Sequence, residues 1–298
     1  MGEDAAYGIF CDMRWPETDG EPICPRCGCT ESYHISTRRK FKCVACHHQF
    51  SVTSGTLFAS RKLSFTDLLA AIVIFVNGAK GISALQASRD LDVQYKTAFV
   101  LFHKLREAMA AEIGGAPLRG EVEIDGAYFG GYVKPENRKA DRRDRRLLEN
   151  RSGKRQCVVV MRERKGRSLA FVVPSERAGA ELVNDNVIND AVLMVDEASS
   201  WDMLHSRFDT RRVNHSVAFM DEGVCTNQAE SFFSRLRRME TGTHHHIAGP
   251  YLNAYANECA WREDNRRKDN GTQAMTVVFG AMGSRQSRTW AGYWQRSA

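Results

Sequence analysis

Glu121-Val122-Glu123-Ile124-Asp125-Gly126 alternates acidic and aliphatic side chains. That period of two belongs to a strand, with three carboxylates on one face, the aliphatics on the other, and Gly126 as its end. Carboxylates so arranged repel one another unless a cation sits among them, and Asp125 is then a candidate first ligand of a divalent metal. The competing reading is a solvent-facing edge strand. Matching acids elsewhere in the chain decide between the two, and two are candidates. Ala191 to Val195 is apolar on both faces, as a central parallel strand is, and it ends in Asp196-Glu197. The carboxyl end of such a strand is where α/β sheets present functional groups. Asn227-Gln228-Ala229-Glu230 opens a helix to about Met239. Its apolar stripe of Ala229, Phe232, Phe233, Leu236 and Met239 leaves Glu230, Ser234 and Arg237 on another face. Locally, Asn227 as N-cap with Glu230 as its capping-box partner explains the same residues.

A second group of chemical residues is Cys24-Pro-Arg-Cys27 and Cys43-Val-Ala-Cys46, two knuckles separated by residues 28–42. This spacing matches a tetrahedral thiolate site for a structural Zn²⁺. Tyr33-His34-Ile35 and Arg39-Lys40-Phe41-Lys42 between them read as short strands of a zinc ribbon. So small a module buries little apolar surface, so the metal supplies its folding energy. Cys29, His47 and His48 are excluded as ligands because four thiolates already close the site.

The elements that carry these groups fit a chain of 298 residues, long enough for about two domains. Its net charge is +6 and Arg far outnumbers Lys, a balance suited to a polyanionic partner. Met1 to Trp15 lacks a secretory pattern, and the longest apolar run, Leu68 to Val76, is too short for a bilayer. A reducing, cytoplasmic setting follows, with the nine cysteines as thiols or ligands.

A helix starts at Ser64, with Ser64 and Asp67 as a capping box, and ends at Asn77-Gly78. A second spans about Ser83 to Arg89 and a third about Gln94 to Ala110. The third buries Ala98, Leu101, Phe102, Leu105 and Ala108, and directs Gln94, Lys96, His103, Lys104 and Arg106 elsewhere. Short helix, turn and longer helix make a helix-turn-helix, with a plain helical hairpin as the alternative. Gly114 to Pro117 reads as a linker. Residues 138–155 are rich in Arg and Lys, among them Arg142, Arg143, Arg145, Arg146 and Arg151, and suit either a solvated loop or a grip on nucleic acid. Further on come strands over Cys157 to Met161 and Leu169 to Val173, a helix over Glu176 to Ile188, a short helix over Trp201 to Phe208 and a strand over Arg212 to Ala218 carrying His215. Trp201 reads as core packing, a helix cap or a stacking platform for an unpaired base. This succession of three strands, helix, strand and late helix fits a ribonuclease H-like mixed α/β sheet, with the acids in matching order. The segments are an N-terminal tail (1–21), the zinc ribbon (22–52), the helix-turn-helix region (62–112), the ribonuclease H-like domain (118–267) and a C-terminal packing tail (268–298).

Several stretches together resemble the DDE transposases of bacterial insertion sequences, in the branch with an N-terminal zinc ribbon and an ISXO-like transposase domain. They are Glu123-Ile124-Asp125, Gly130-Gly131-Tyr132, Val195-Asp196-Glu197 with Trp201-Asp202, and Asn214-His215-Ser216. The most specific is Thr226-Asn227-Gln228-Ala229-Glu230-Ser231-Phe232-Phe233-Ser234-Arg235-Leu236-Arg237-Arg238, followed by Gly242 to Ile247 and by Tyr251 to Arg267. The resemblance implies that Asp125, Asp196 and Glu230 are a catalytic triad holding two Mg²⁺ or Mn²⁺ ions for in-line displacement at phosphorus. Water as attacker would nick a transposon end, and the freed 3′-OH would join target DNA. It implies contacts from Arg237, Arg238 and His215 to phosphates near the scissile bond, from Lys96 and Lys104 to the DNA end, and several copies of the chain on one DNA complex. His244-His245-His246 either joins those contacts or is a polar loop. Arg237 stands where the family often has Lys, keeping the charge but not the compact ammonium. A DNA-binding regulator with an inert sheet domain and a junction-resolving nuclease are the competing readings.

Overall fold

The computed structural model describes residues 1–131, 134–144, 147–150, 153–214, 220 and 223–296. The chain divides into two compact units, residues 1–112 with 265–298, and residues 113–264.

In the first unit, α1 (Glu3–Arg14) occupies the segment expected to be a tail. Ala6 and Phe10 give it a buried side, and Phe10 meets Phe58 and Phe65. The ribbon follows as a three-stranded antiparallel sheet, β1 (Ser32–Ile35), β2 (Lys40–Cys43) and β3 (Gln49–Phe50). Trp15 packs edge-on against Phe41 and Phe50, which supplies the small apolar core such a module needs. Next come α2 (Phe65–Asn77), α3 (Ala84–Asp90) and α4 (Tyr95–Ile113). Ser64 Oγ accepts from the Asp67 amide and Ser83 Oγ from the Gln86 amide, so both helices start where serine caps are expected.

α4 departs from the expected reader. His103 and Arg106 are buried, and the helix is exposed only near its ends, at Tyr95 and Lys96 and again at Ala111 and Glu112. The reason is a second apolar partner: the ring of Trp290 stacks on His103 at 4.1 Å.

The second unit is built on a five-stranded mixed sheet. Its strands are β4 (Glu121–Gly130), β5 (Arg155–Glu163), β6 (Ser168–Val173), β7 (Val192–Val195) and β8 (Asp209–Arg212), in the order β6-β5-β4-β7-β8. The β6-β5-β4 pairs are antiparallel and the β4-β7-β8 pairs parallel. This is a ribonuclease H-like arrangement, with β4 at the centre, so the edge-strand reading of the acidic stretch is removed. β4 also runs through Gly126 instead of stopping there. The described strand here, β8, covers Asp209–Arg212, and most of the strand expected over Arg212 to Ala218 lies outside the described residues, which omit 215–219.

Register sorts the faces. Glu123 pairs with Arg162 and Asp125 with Val160, so these four share one face, while Gly126 and Val159 share the other. On the acidic face lies α6 (Asn227–Met239), packed on β4 and β5 with Ala229, Phe232, Phe233, Leu236 and Met239 buried. On the opposite face Gly179 of α5 (Glu176–Asn186) sits against Val159. α7 (Gly249–Asn265) is tied to the β5–β6 end by the buried Arg162–Glu263 pair at 2.7 Å and by Asp264, which accepts from the Ser168 amide and hydroxyl. The chain then returns to the first unit as α8 (Asn270–Gly283), which packs on α1 and α2. Among the described residues, no helix is long and apolar enough to cross a membrane.

Candidate active site

β7 pairs with β4 only over Glu121 to Glu123. Asp125 on β4 and Asp196, just past the end of β7, each come two residues beyond the Glu123–Met194 pair that ends the β4–β7 ladder. β7 stops at Val195, and the chain turns back through a 3₁₀ helix over Ser199–Ser206. Asp196 is fixed in that turn, since its Oδ1 accepts from the Ala198 amide at 3.0 Å and from the indole Nε1 of Trp201 at 2.8 Å. Trp201 is fully buried, so it packs in the core and orients the acid, and is not a platform for a base.

Glu230 arrives on α6, and an acid on β4 docks that helix. Glu123, with no exposed surface, accepts at Oε2 from the amides of Gln228 and Ala229, at 2.7 and 3.2 Å. It thereby caps the helix in place of a local residue. Asn227 is already helical, and Thr226 before it makes no side-chain cap, so the capping-box account of Glu230 does not hold. Arg164 neutralises Glu123 at Oε1 (3.0 Å), pairs with Glu121 (2.9 Å), and donates to the Gly223 carbonyl. Glu121 and Glu123 are therefore structural, and Asp125 is the member of the alternating acids left for chemistry.

Asp125 is pushed up to about 7. Burial is the main cause, and the carboxylates of Asp196, Glu230 and Glu176 add to it; a bond from the Gly126 amide at 2.7 Å opposes it. Acids from β4, the end of β7 and the start of α6 thus act on one another. The fourth acid, Glu176, opens α5; its pKa is raised by burial and by Asp196, and its Oε2 accepts from Ser200 Oγ at 3.2 Å. Gly126 makes room for it, because a Cβ there would lie 2.4 Å from Glu176 Cγ. In the sequence Glu176 is an ordinary acid in a first helical turn. Only the packing of α5 under β4 reveals it.

This group of carboxylates has the donor chemistry of a magnesium or manganese site. The four cysteines form a tighter cluster. Their Sγ atoms all lie within 4.8 Å of one another, the only group of three or more metal-capable side chains that close among the described residues. The Cys24–Cys46 and Cys27–Cys43 sulfurs are 3.6 and 3.5 Å apart. Tetrahedral zinc with bonds of ~2.3 Å calls for sulfurs about 3.8 Å apart. Each knuckle turns the same way, with a left-handed residue, Gly28 or His47, directly after its second cysteine. The residues fit a structural zinc.

The basic residues fall in three places. Arg237 is exposed two turns along the same helix face as Glu230, its guanidinium 5.8 Å from the ring centre of Phe129 on β4. Arg238, also exposed, donates to Ser234 Oγ. Beyond Phe129 a cleft of about 680 Å³ opens, lined among others by Gly130, Lys154, Arg155 and His246. Lys96 and Lys104 lie in the other unit: Lys96 on the exposed first turn of α4, Lys104 half-buried with Nζ 3.5 Å from the Ala59 carbonyl. Tyr132, Arg145, Arg146, Arg151, His215 and Ser216 lie outside the described residues.

No curated protein matches the chain. Residues 117–264 match the family model of the ISXO2-like transposase domain, and residues 1–49 that of the transposase zinc-ribbon domain. The zinc ribbon and the acid-bearing sheet are thus each recognised independently, and the chain belongs to the insertion-sequence transposases that join such a ribbon to an ISXO2-like transposase domain.

Proposed function

We propose that this transposase binds the ends of its element and cuts and joins DNA strands at Asp125, Asp196 and Glu230. The observation that carries the reading is the convergence of carboxylates from three separate elements on the buried Asp125. Two divalent ions held by these side chains, Mg²⁺ or Mn²⁺, would supply activation of the attacking oxygen and stabilisation of the leaving oxygen at phosphorus. The chain's own groups hold and orient. Trp201 and the Ala198 amide fix Asp196, and Glu123 with Arg164 fixes the helix bearing Glu230. Arg237 and Arg238, on the same helix, offer cations to the phosphates flanking the scissile bond, with His215 assigned the same role. Because one set of acids serves whichever hydroxyl attacks, water gives a nick and a 3′-OH gives a joined strand. The ribbon, held by zinc on Cys24, Cys27, Cys43 and Cys46, and the first turn of α4 with Lys96, together with Lys104, engage terminal inverted repeats and target DNA. Several copies of the chain act together on the DNA, in the reducing cytoplasm where zinc thiolates persist.

The test is magnesium-dependent nicking and joining of a duplex carrying the element's end. Asp125→Ala, Asp196→Ala and Glu230→Ala each reduce both reactions to background while binding of that duplex persists. A Glu230→Ala protein that nicks normally overturns the assignment. Nicking without any joined product points to a plain nuclease instead.

A further inference from the structure

The strand-cleavage reading gives no part to residues 285–296, which pack against the first half of α4 and close a cleft of about 330 Å³ within the first unit. Three aromatic rings of this segment lie on one another, Trp290 to Tyr293 at 4.7 Å and Tyr293 to Trp294 at 5.0 Å. Trp290 is buried, and stacking on His103 accounts for it as core. Trp294 is different: Tyr293 and Phe99 hold its ring, yet 46% of its surface is exposed, and the Lys96 ammonium stands 5.0 Å from its centre. A tryptophan braced by rings and left open is costly as mere packing, since it keeps apolar area in water.

Arg61, Lys62, Lys96 and Lys104 line the cleft, and the acids that act on them, Glu3 on Arg61 and Glu107 on Lys104, lie outside its lining. Burial also depresses the Lys104 ammonium, so that a group with this lowered affinity for its proton gains from an anion nearby. A lining that carries four cations and no acid of its own selects an anion, and a braced indole selects a flat π-system. A cavity of this volume takes a unit of small-molecule size, not a duplex.

We propose that this cleft is a site for single-stranded DNA, in which one unpaired base stacks on Trp294 while Lys96 and Lys62 hold the adjoining phosphates. The site is separate from the carboxylate centre and stands or falls independently of it. It is suited to a frayed end or displaced strand, because stacking tolerates any base and a paired base has no free face.

The experiment is fluorescence anisotropy with a labelled twelve-residue oligo(dT) and with a labelled blunt duplex of the same length, on the zinc-loaded full chain in buffer without magnesium. Trp294→Ala is expected to weaken oligo(dT) binding about tenfold or more, within the range for loss of one stacked base, with duplex binding and melting temperature unchanged. Trp294→Phe keeps a stacking face and retains most of the affinity. Lys96→Ala lowers the slope of log K against log salt for the single strand by about 0.7. Unchanged oligo(dT) binding by Trp294→Ala, or an equal loss on duplex and single strand, overturns the proposal. Because no magnesium is present, neither result depends on whether Asp125, Asp196 and Glu230 cut DNA.

Discussion

At the scale of the residue, the state of Asp125 couples metal, proton and stability. A free aspartate ionises near 4, whereas Asp125 is held at about 7, chiefly by burial. Its folded pKa is raised, so its contribution to stability is whole below the ordinary value and is lost as the pH rises through 7. A divalent cation at the cluster reverses that loss by favouring the ionised form. The rise in melting temperature on adding Mg²⁺ should therefore be larger above pH 7 than below it, and calorimetry should find protons released on binding near pH 7. A magnesium effect independent of pH would contradict the role given to Asp125. The places of these acids on their elements were legible in the sequence: alternation puts Asp125 on a strand, a doubly apolar run ends at Asp196, and an apolar stripe puts Glu230 on an open face of a helix start. Trp201 was not, because its contribution is one indole N–H reaching back to Asp196, and nothing in its neighbours reports that turn.

At the scale of the element, α6 is docked by a strand acid. Glu123 is fully buried and pairs with Arg164, itself mostly buried. Removing one partner of such a pair leaves a buried charge uncompensated, at a cost of about 3–5 kcal/mol. Glu123→Ala should lower the unfolding free energy of residues 113–264 by that order in denaturant titration, and Arg164→Ala in the same chain should add little more. Gly126 works by its smallness. Gly126→Ala drives a methyl into Glu176 and should cost about 1–3 kcal/mol; adding Glu176→Ala should recover most of it, as thermal melts of the two variants would reveal. The sequence suggested that Gly126 ends its strand, because glycine is a breaker read alone. In the sheet its missing side chain admits Glu176 from the helix layer. Helix starts were more readable, since Ser64 and Ser83 act on amides three residues away. The burial of His103 was not, because its partner Trp290 lies far along the chain.

At the scale of the whole molecule, the two units rest on different physics. The ribbon is held by four sulfurs around a zinc-sized space, the other unit by a sheet between helices. Chelation, or Cys43→Ser, should remove about one zinc per chain and end-recognition with it. The circular dichroism and melting of the sheet unit, expressed as residues 113–264, should not respond to the chelator. Zinc well below one per chain in the purified protein would count against the ribbon. The first unit has a further property, since α8 completes what residues 1–112 begin. During synthesis the faces of α1 and α2 that α8 covers stay open until the intervening residues 113–264 have been made, so the unit begun first is finished second.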